Sequence, residues 1–147
     1  DGEGLGIALT KDHVIGKTTH VAMVADVVVD GDRIDVRRIN VAVDSGLPIN
    51  PNIIRTQVES SVAFAMATVF RNEITLEGGL VEQGNFDLYD PTRMSDMPDV
   101  VVDILASDAP PSGIGEAAVA PVAPAILNAI YKASGQRFDS LPIARGV

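Results

Sequence analysis

Between positions 20 and 29 the apolar residues Val21, Met23, Ala25, Val27 and Val29 share one parity, so an extended chain turns all of them to one face. Asp30-Gly31 follows at once, and a second run rich in β-branched residues comes directly after it. Asp-Gly suits a two-residue hairpin loop, because both central residues must accept positive φ. An antiparallel pair with one apolar face is thus specified locally, and the rest of the chain must cover that face. In the return strand Ile34 and Val36 lie on even positions but Ile39, Val41 and Val43 on odd ones. A bulge near Arg37-Arg38, or burial on both faces, accommodates the change of parity.

Two helices are available as a cover. Asn50-Pro51 places a good N-cap before a proline at the first helical position, and Ile54, Val58, Val62, Met66 and Val69 then form one apolar stripe, predicting a helix that runs to about residue 70. Gln57, Ser60, Ser61 and Phe64 fall on a different face, and the small residues among them keep that helix slim. Val122, Ile126 and Ile130 mark a second helix; Pro121 and Pro124 are tolerated only in its first turn, and Gly135 is a natural stop.

Shorter strands are predicted at residues 6–10, at 73–76 and 80–83 around Glu77-Gly78-Gly79, and at 100–105, with a long irregular connection over 84–99. The order predicts a single α+β domain over residues 1–147, two helices packed on a mainly antiparallel sheet. A 46% hydrophobic fraction supports a packed globule, and no apolar run approaches the roughly 20 residues of a membrane span, so no membrane insertion is expected. A formal net charge of −9 has the wrong sign for a nucleic-acid partner. The absence of cysteine excludes disulfides, thiolate metal sites and iron–sulfur ligation within this chain.

Few residues suggest chemistry from pattern alone. Gly2, Gly4 and Gly6 have no strand before them and no helix after them, so they read as a flexible lead into a strand rather than a phosphate loop. His13 and His20 lack the spacing of a metal pair, no metal ligand set is expected, and no serine has the nucleophile-elbow context. Arg33, Arg37 and Arg38 against Asp26, Asp30, Asp32 and Asp35 read as a solvated charged hairpin. Glu116 is the most suggestive carboxylate: glycines precede it and a helix follows, so it is either a base in a Gly-lined crevice or a complement to the helix terminus. Gln57 is either an ordinary polar helix position or part of a site beside small serines.

Several segments together resemble a known family. The run Val41-Ala42-Val43-Asp44-Ser45-Gly46-Leu47-Pro48-Ile49-Asn50-Pro51, then Gln57-Val58-Glu59, then Gly113-Ile114-Gly115-Glu116, is similar in order and spacing to the C-terminal part of the molybdenum-binding subunit of the xanthine oxidase family. Gly84-Asn85-Phe86-Asp87-Leu88-Tyr89, Arg93-Met94 and the run from Pro121 to Ile130 add to the likeness, which is strongest toward the isoquinoline 1-oxidoreductase β-subunit and related aldehyde dehydrogenases. Two positions depart from the family pattern: Ala117 stands where proline commonly follows the glutamate, and Ser60-Ser61 where a glycine pair is common.

The resemblance implies a molybdenum-dependent oxidoreductase that hydroxylates an N-heterocycle or aldehyde. It implies that Glu116 is the base that takes the proton of the attacking hydroxyl and that Gln57 hydrogen-bonds a molybdopterin cofactor, which backbone amides approach closely at Gly113 and Gly115. A carboxylate suits that task because a metal cation acidifies the hydroxyl it holds. Asp44 would be structural. The implied cofactor is the cytosine dinucleotide form of molybdopterin in the complete enzyme, with none expected to stay on the isolated chain. The implied partners are the remainder of the molybdenum subunit, of which this chain is expected to be a fragment, and an iron–sulfur subunit. The compartment stays open between cytoplasm and periplasm of a bacterium. The alternative is a noncatalytic remnant or an interaction module that forms homo-oligomers through an uncovered apolar face.

Overall fold

The computed structural model of the chain describes residues 2–14 and 16–143. Strands β1 (Gly2–Val14), β2 (Lys17–Asp30) and β3 (Arg33–Asp44) form an antiparallel meander. Helix α1 (Pro51–Phe70), the small hairpin β4 (Leu76–Glu77) and β5 (Leu80–Val81), and an irregular stretch then lead to β6 (Asp99–Ile104). Strand β6 pairs parallel with β3, which gives the sheet order β1-β2-β3-β6, and α2 (Val122–Ser134) closes the chain. The sheet is mainly antiparallel and the class is α+β, as the element order predicts.

Both helices contribute to one core against the same sheet face. Val21, Met23, Ala25, Val27 and Val29 are all buried, in one cluster with the α1 stripe Ile54, Val58, Val62, Met66 and Val69 and with Ile126 and Ile130 of α2. Burying each of the valine, isoleucine and methionine side chains is worth about 1.5–3 kcal/mol. The predicted bulge is present: Asp26 pairs with Arg38 but Val27 with Val36, leaving Arg37 as the extra residue and moving the inward parity from Val36 to Ile39. The hairpin charges are solvated, with Arg37 paired to Glu3 and Asp26, and Arg38 to Asp99. On the opposite face of β1, Leu5, Ile7 and Leu9 are 63%, 67% and 73% exposed.

Strand β1 is longer than residues 6–10, and its glycines are not a flexible lead. A Cβ at Gly6 or Gly4 would run into the carbonyl oxygens of Ala125 and Ala129, and one at Gly2 would stand 2.9 Å from that of Ala133. Spaced four apart on one face of α2, these alanines let the helix backbone lie directly on the strand, and only glycine leaves room for it. Asn128 of the same helix donates from its side-chain amide to the Ile7 carbonyl at 3.0 Å. The α2 ends follow expectation, with Pro121 at the N-cap and Gly135 left-handed at φ 77°.

The connection before β6 contains 3-10 turns at Phe86–Leu88 and Met94–Asp96 and is tied to the end of α1 by Arg71, which pairs with both Asp90 and Asp96. The strands flanking Gly78-Gly79 shrink to two residues each. The Arg71 hydrogen bond holds the Asp90 carboxyl below the ordinary carboxylate range, with the charges of Arg71 and Arg93 adding to it. That tie contributes fully above the unfolded value of about 3.9 and is lost as pH falls through the lower folded value.

Candidate functional site

The site begins with the start of α1. The Asn50 side chain accepts from the backbone N–H groups of Asn52 and Ile53 at 3.1 and 3.2 Å, fixing the first turn. Ile53, Gln57, Ser61 and Phe64 then follow at helical spacing along one flank. Gln57 is half-buried, and its side-chain amide has no partner among the described residues, while its backbone carbonyl accepts from Ser61 Oγ at 2.8 Å. Ser61 is thereby satisfied within the helix, whereas Ser60 and Phe64 are exposed.

The second part is the segment between β6 and α2. It is zipped onto the end of β3 and the loop after it: Leu105 N–H donates to the Val43 carbonyl, Leu47 N–H to Ala109, and Ser112 N–H to Ser45, each at 2.8 Å. Gly46, at φ 77°, allows this contact, since a Cβ there would overlap the Pro110 carbonyl oxygen. Asp44 accepts from Gly46 N–H at 3.0 Å, the structural part expected of it. Beyond Ser112, Gly113, Gly115 and Glu116 are exposed, and Ala117 and Ala118 turn inward to 3% and 0% exposure.

These parts meet at a cavity of about 560 Å³, lined by Glu116 and Gly115 on one side, Ser60, Ser61 and Phe64 of α1 on another, and the end of β1 at Thr10, Lys11 and Asp12. A smaller groove of about 260 Å³ runs past Leu47, Ile49, Ile53, Ser112 and Ile114. Gln57 lines neither, but it stands on the α1 flank between Ile53 of the smaller groove and Ser61 of the larger cavity. The Glu116 carboxylate has no hydrogen-bond or ionic partner among the described residues. It does not cap a helix: α2 starts at Val122, and the Glu116 carbonyl instead accepts from Val119 N–H in an intervening turn. A helix dipole falls off within its first turn, so the terminus-complement reading of Glu116 gives way to a carboxylate presented at a cavity.

Among the described residues no three His, Cys, Asp or Glu side chains gather as a metal site. His13 sits at the β1–β2 turn with Nδ1 2.7 Å from Thr18 Oγ1, and His20 is exposed. Sequence pattern passes over Thr19, whose hydroxyl bonds the Gly113 carbonyl, and Lys11 in the cavity wall. A signal for Thr19 exists: it shares the inward parity of Val21 and Met23, so a hydroxyl there requires a buried partner.

Comparison with known proteins identifies the family of the chain. Residues 5–98 match the family model of the molybdopterin cofactor-binding domain, a span that includes Gln57 but stops short of Gly113, Gly115 and Glu116. The chain is 29% identical over 142 residues to the β-subunit of isoquinoline 1-oxidoreductase from Brevundimonas diminuta, covering 95% of this chain and 18% of that protein. It is 34% identical over 125 residues to a nicotinate dehydrogenase subunit of Pseudomonas putida, covering 83% of this chain and 10% of that one. Quinoline 2-oxidoreductase from Pseudomonas putida 86 shares the fold at a TM-score of 0.77 and 21% identity, over 86% of this chain and 17% of that chain. The chain therefore spans less than a fifth of each of these relatives. With most of its length matched by the family model, the chain belongs to the molybdopterin cofactor-binding domain family, in the molybdenum-binding subunits of the xanthine oxidase family.

Proposed function

We propose that this chain is the part of a molybdenum hydroxylase subunit that supplies the catalytic base, Glu116, and one cofactor contact, Gln57. One observation carries the reading: Glu116, an exposed carboxylate without a partner among the described residues, lines a cavity of about 560 Å³ together with the slim flank of α1. The residues fit a molybdopterin group. Gln57 offers a free amide with both donor and acceptor atoms, and a Cβ at Gly115 would meet nothing within 4 Å among the described residues, so the fold itself does not require glycine there. Gly113 and Gly115 keep the backbone open to a group that approaches from outside the chain.

When bound, the cofactor supplies the two-electron oxidation of a substrate carbon. Gln57 orients it by hydrogen bonding from its side-chain amide, and Glu116 takes up on a carboxylate oxygen the proton released by hydroxylation. Phe64 and Gly115 line the cavity beside the carboxylate. The substrate class is an N-heterocycle or an aldehyde, the cofactor the cytosine dinucleotide form of molybdopterin. The partners are the remainder of the molybdenum subunit and an iron–sulfur subunit. The open apolar row Leu5, Ile7 and Leu9 supports docking onto that remainder.

Glu116→Gln in the complete enzyme keeps the shape and removes the base. Turnover is expected to fall by roughly 10²–10⁴-fold with molybdenum and pterin content unchanged. Turnover at the parent level removes the assignment. A second reading, a noncatalytic module that self-associates, draws on the same exposed row of β1. A complete enzyme purified without molybdenum or pterin favours it over the first.

A further inference from the structure

We infer that Thr19, on β2 and 97 positions before Glu116 in the sequence, is the positioning residue that sets where the Glu116 carboxylate stands. The inference rests on the proposed role of Glu116 as base and explains how that residue is held. Thr19 is 1% exposed and occupies a core-facing position of β2 that Val21 and Met23 continue with apolar side chains. A buried hydroxyl is costly without partners, and Thr19 has two: Gly113 O and Ser112 Oγ, both at 2.6 Å.

The proton inventory gives the arrangement a direction. Thr19 has one hydroxyl proton and donates it to the Gly113 carbonyl. Its oxygen then accepts from Ser112, whose single hydroxyl proton is shared between Thr19 Oγ1 at 2.6 Å and the Thr18 carbonyl at 3.1 Å. Ser112 is fixed a third time by its backbone N–H on the Ser45 carbonyl at 2.8 Å. On the far side of the carboxylate, Ala117 and Ala118 are buried in the core, and Val119 N–H closes a turn on the Glu116 carbonyl at 2.9 Å. The span Gly113-Ile114-Gly115-Glu116 is thus held at both ends and otherwise carries two glycines, whose backbone freedom must be removed by something outside the span. On the upstream side that constraint is Thr19.

The test uses Thr19→Val, which keeps the shape without the hydroxyl, and Thr19→Ser, which restores it. Amide exchange in the 147-residue chain is read alongside turnover of the complete enzyme. Thr19→Val is expected to speed exchange at Ser112, whose N–H is bonded to the Ser45 carbonyl, about tenfold with β2 and α1 unchanged, and to lower kcat about tenfold while KM and molybdenum content hold; Thr19→Ser restores both. Parent-like exchange and kcat in Thr19→Val overturn the inference, as does faster exchange over the whole chain, which marks a general packing role. Glu116→Gln is measured in parallel to separate the two readings. If it turns over normally while Thr19→Val still frees the segment, the positioning stands and the base assignment falls. If it is inactive while Thr19→Val matches the parent, the base assignment stands and the positioning falls.

Discussion

At Gly4 and Gly6 an added Cβ would collide with the backbone of α2, whereas at Gly115 it would meet nothing within 4 Å among the described residues. The first two stand in an extended strand, where glycine is otherwise unfavourable, and they are explained by the helix that rests on them. Gly115 lies at the rim of the cavity with Glu116, in an open segment that an alanine would fit. The contrast teaches that a small residue is informative according to what occupies the space it leaves. Beside β1 that space is filled by this chain; beside Gly115 it is open among the described residues.

Alanine substitutions can break or sharpen the contrast. Gly6→Ala is expected to have the largest effect, a destabilisation of about 3 kcal/mol or more, because neither strand nor helix backbone can yield without opening the core. Denaturant unfolding checks it, and a loss below about 1 kcal/mol would show that α2 can lift off its bed. Gly46→Ala comes next, at about 1–3 kcal/mol, since it combines left-handed backbone at φ 77° with overlap on the Pro110 carbonyl. It belongs to the site loop by position but to the packed glycines by environment, so a neutral result there would weaken the division. Gly115→Ala is the smallest in stability, within about 0.5 kcal/mol. Its effect is expected instead in the cofactor content of the complete enzyme, measured as molybdenum per subunit; full loading would remove the reason given for this glycine.

How much is legible in the sequence depends on how local the cause is. The β2–β3 hairpin, its bulge and α1 with its Asn50 cap follow from neighbours in sequence, and the structure has all of them. The start of β1 is hidden because glycines show no alternation of side chains. The parallel pairing of β6 with β3 is hidden because it joins segments separated by α1 and the connection after it. The start of α2 at Val122 shifts the setting of Glu116 from helix end to cavity wall. Motif order singles out Glu116, Gln57, Gly113 and Gly115, whereas Thr19 carries only the parity of a strand face that is apolar from Val21 onward.

The amino-acid sequence by itself determined the periodicities: which faces of β2, β3, α1 and α2 are apolar, where the hairpin turns, and where the helices stop. Those depend on dihedral preferences and on spacings of two or about four residues, which act within a single element. Only the tertiary structure decided that Glu116 and the flank of α1 line one cavity, that Thr19 holds the Gly113 carbonyl, and that glycines of β1 seat a helix. Each of these joins residues far apart along the chain, and the contact exists only after both helices have packed on one sheet face and removed the freedom of the segments between them.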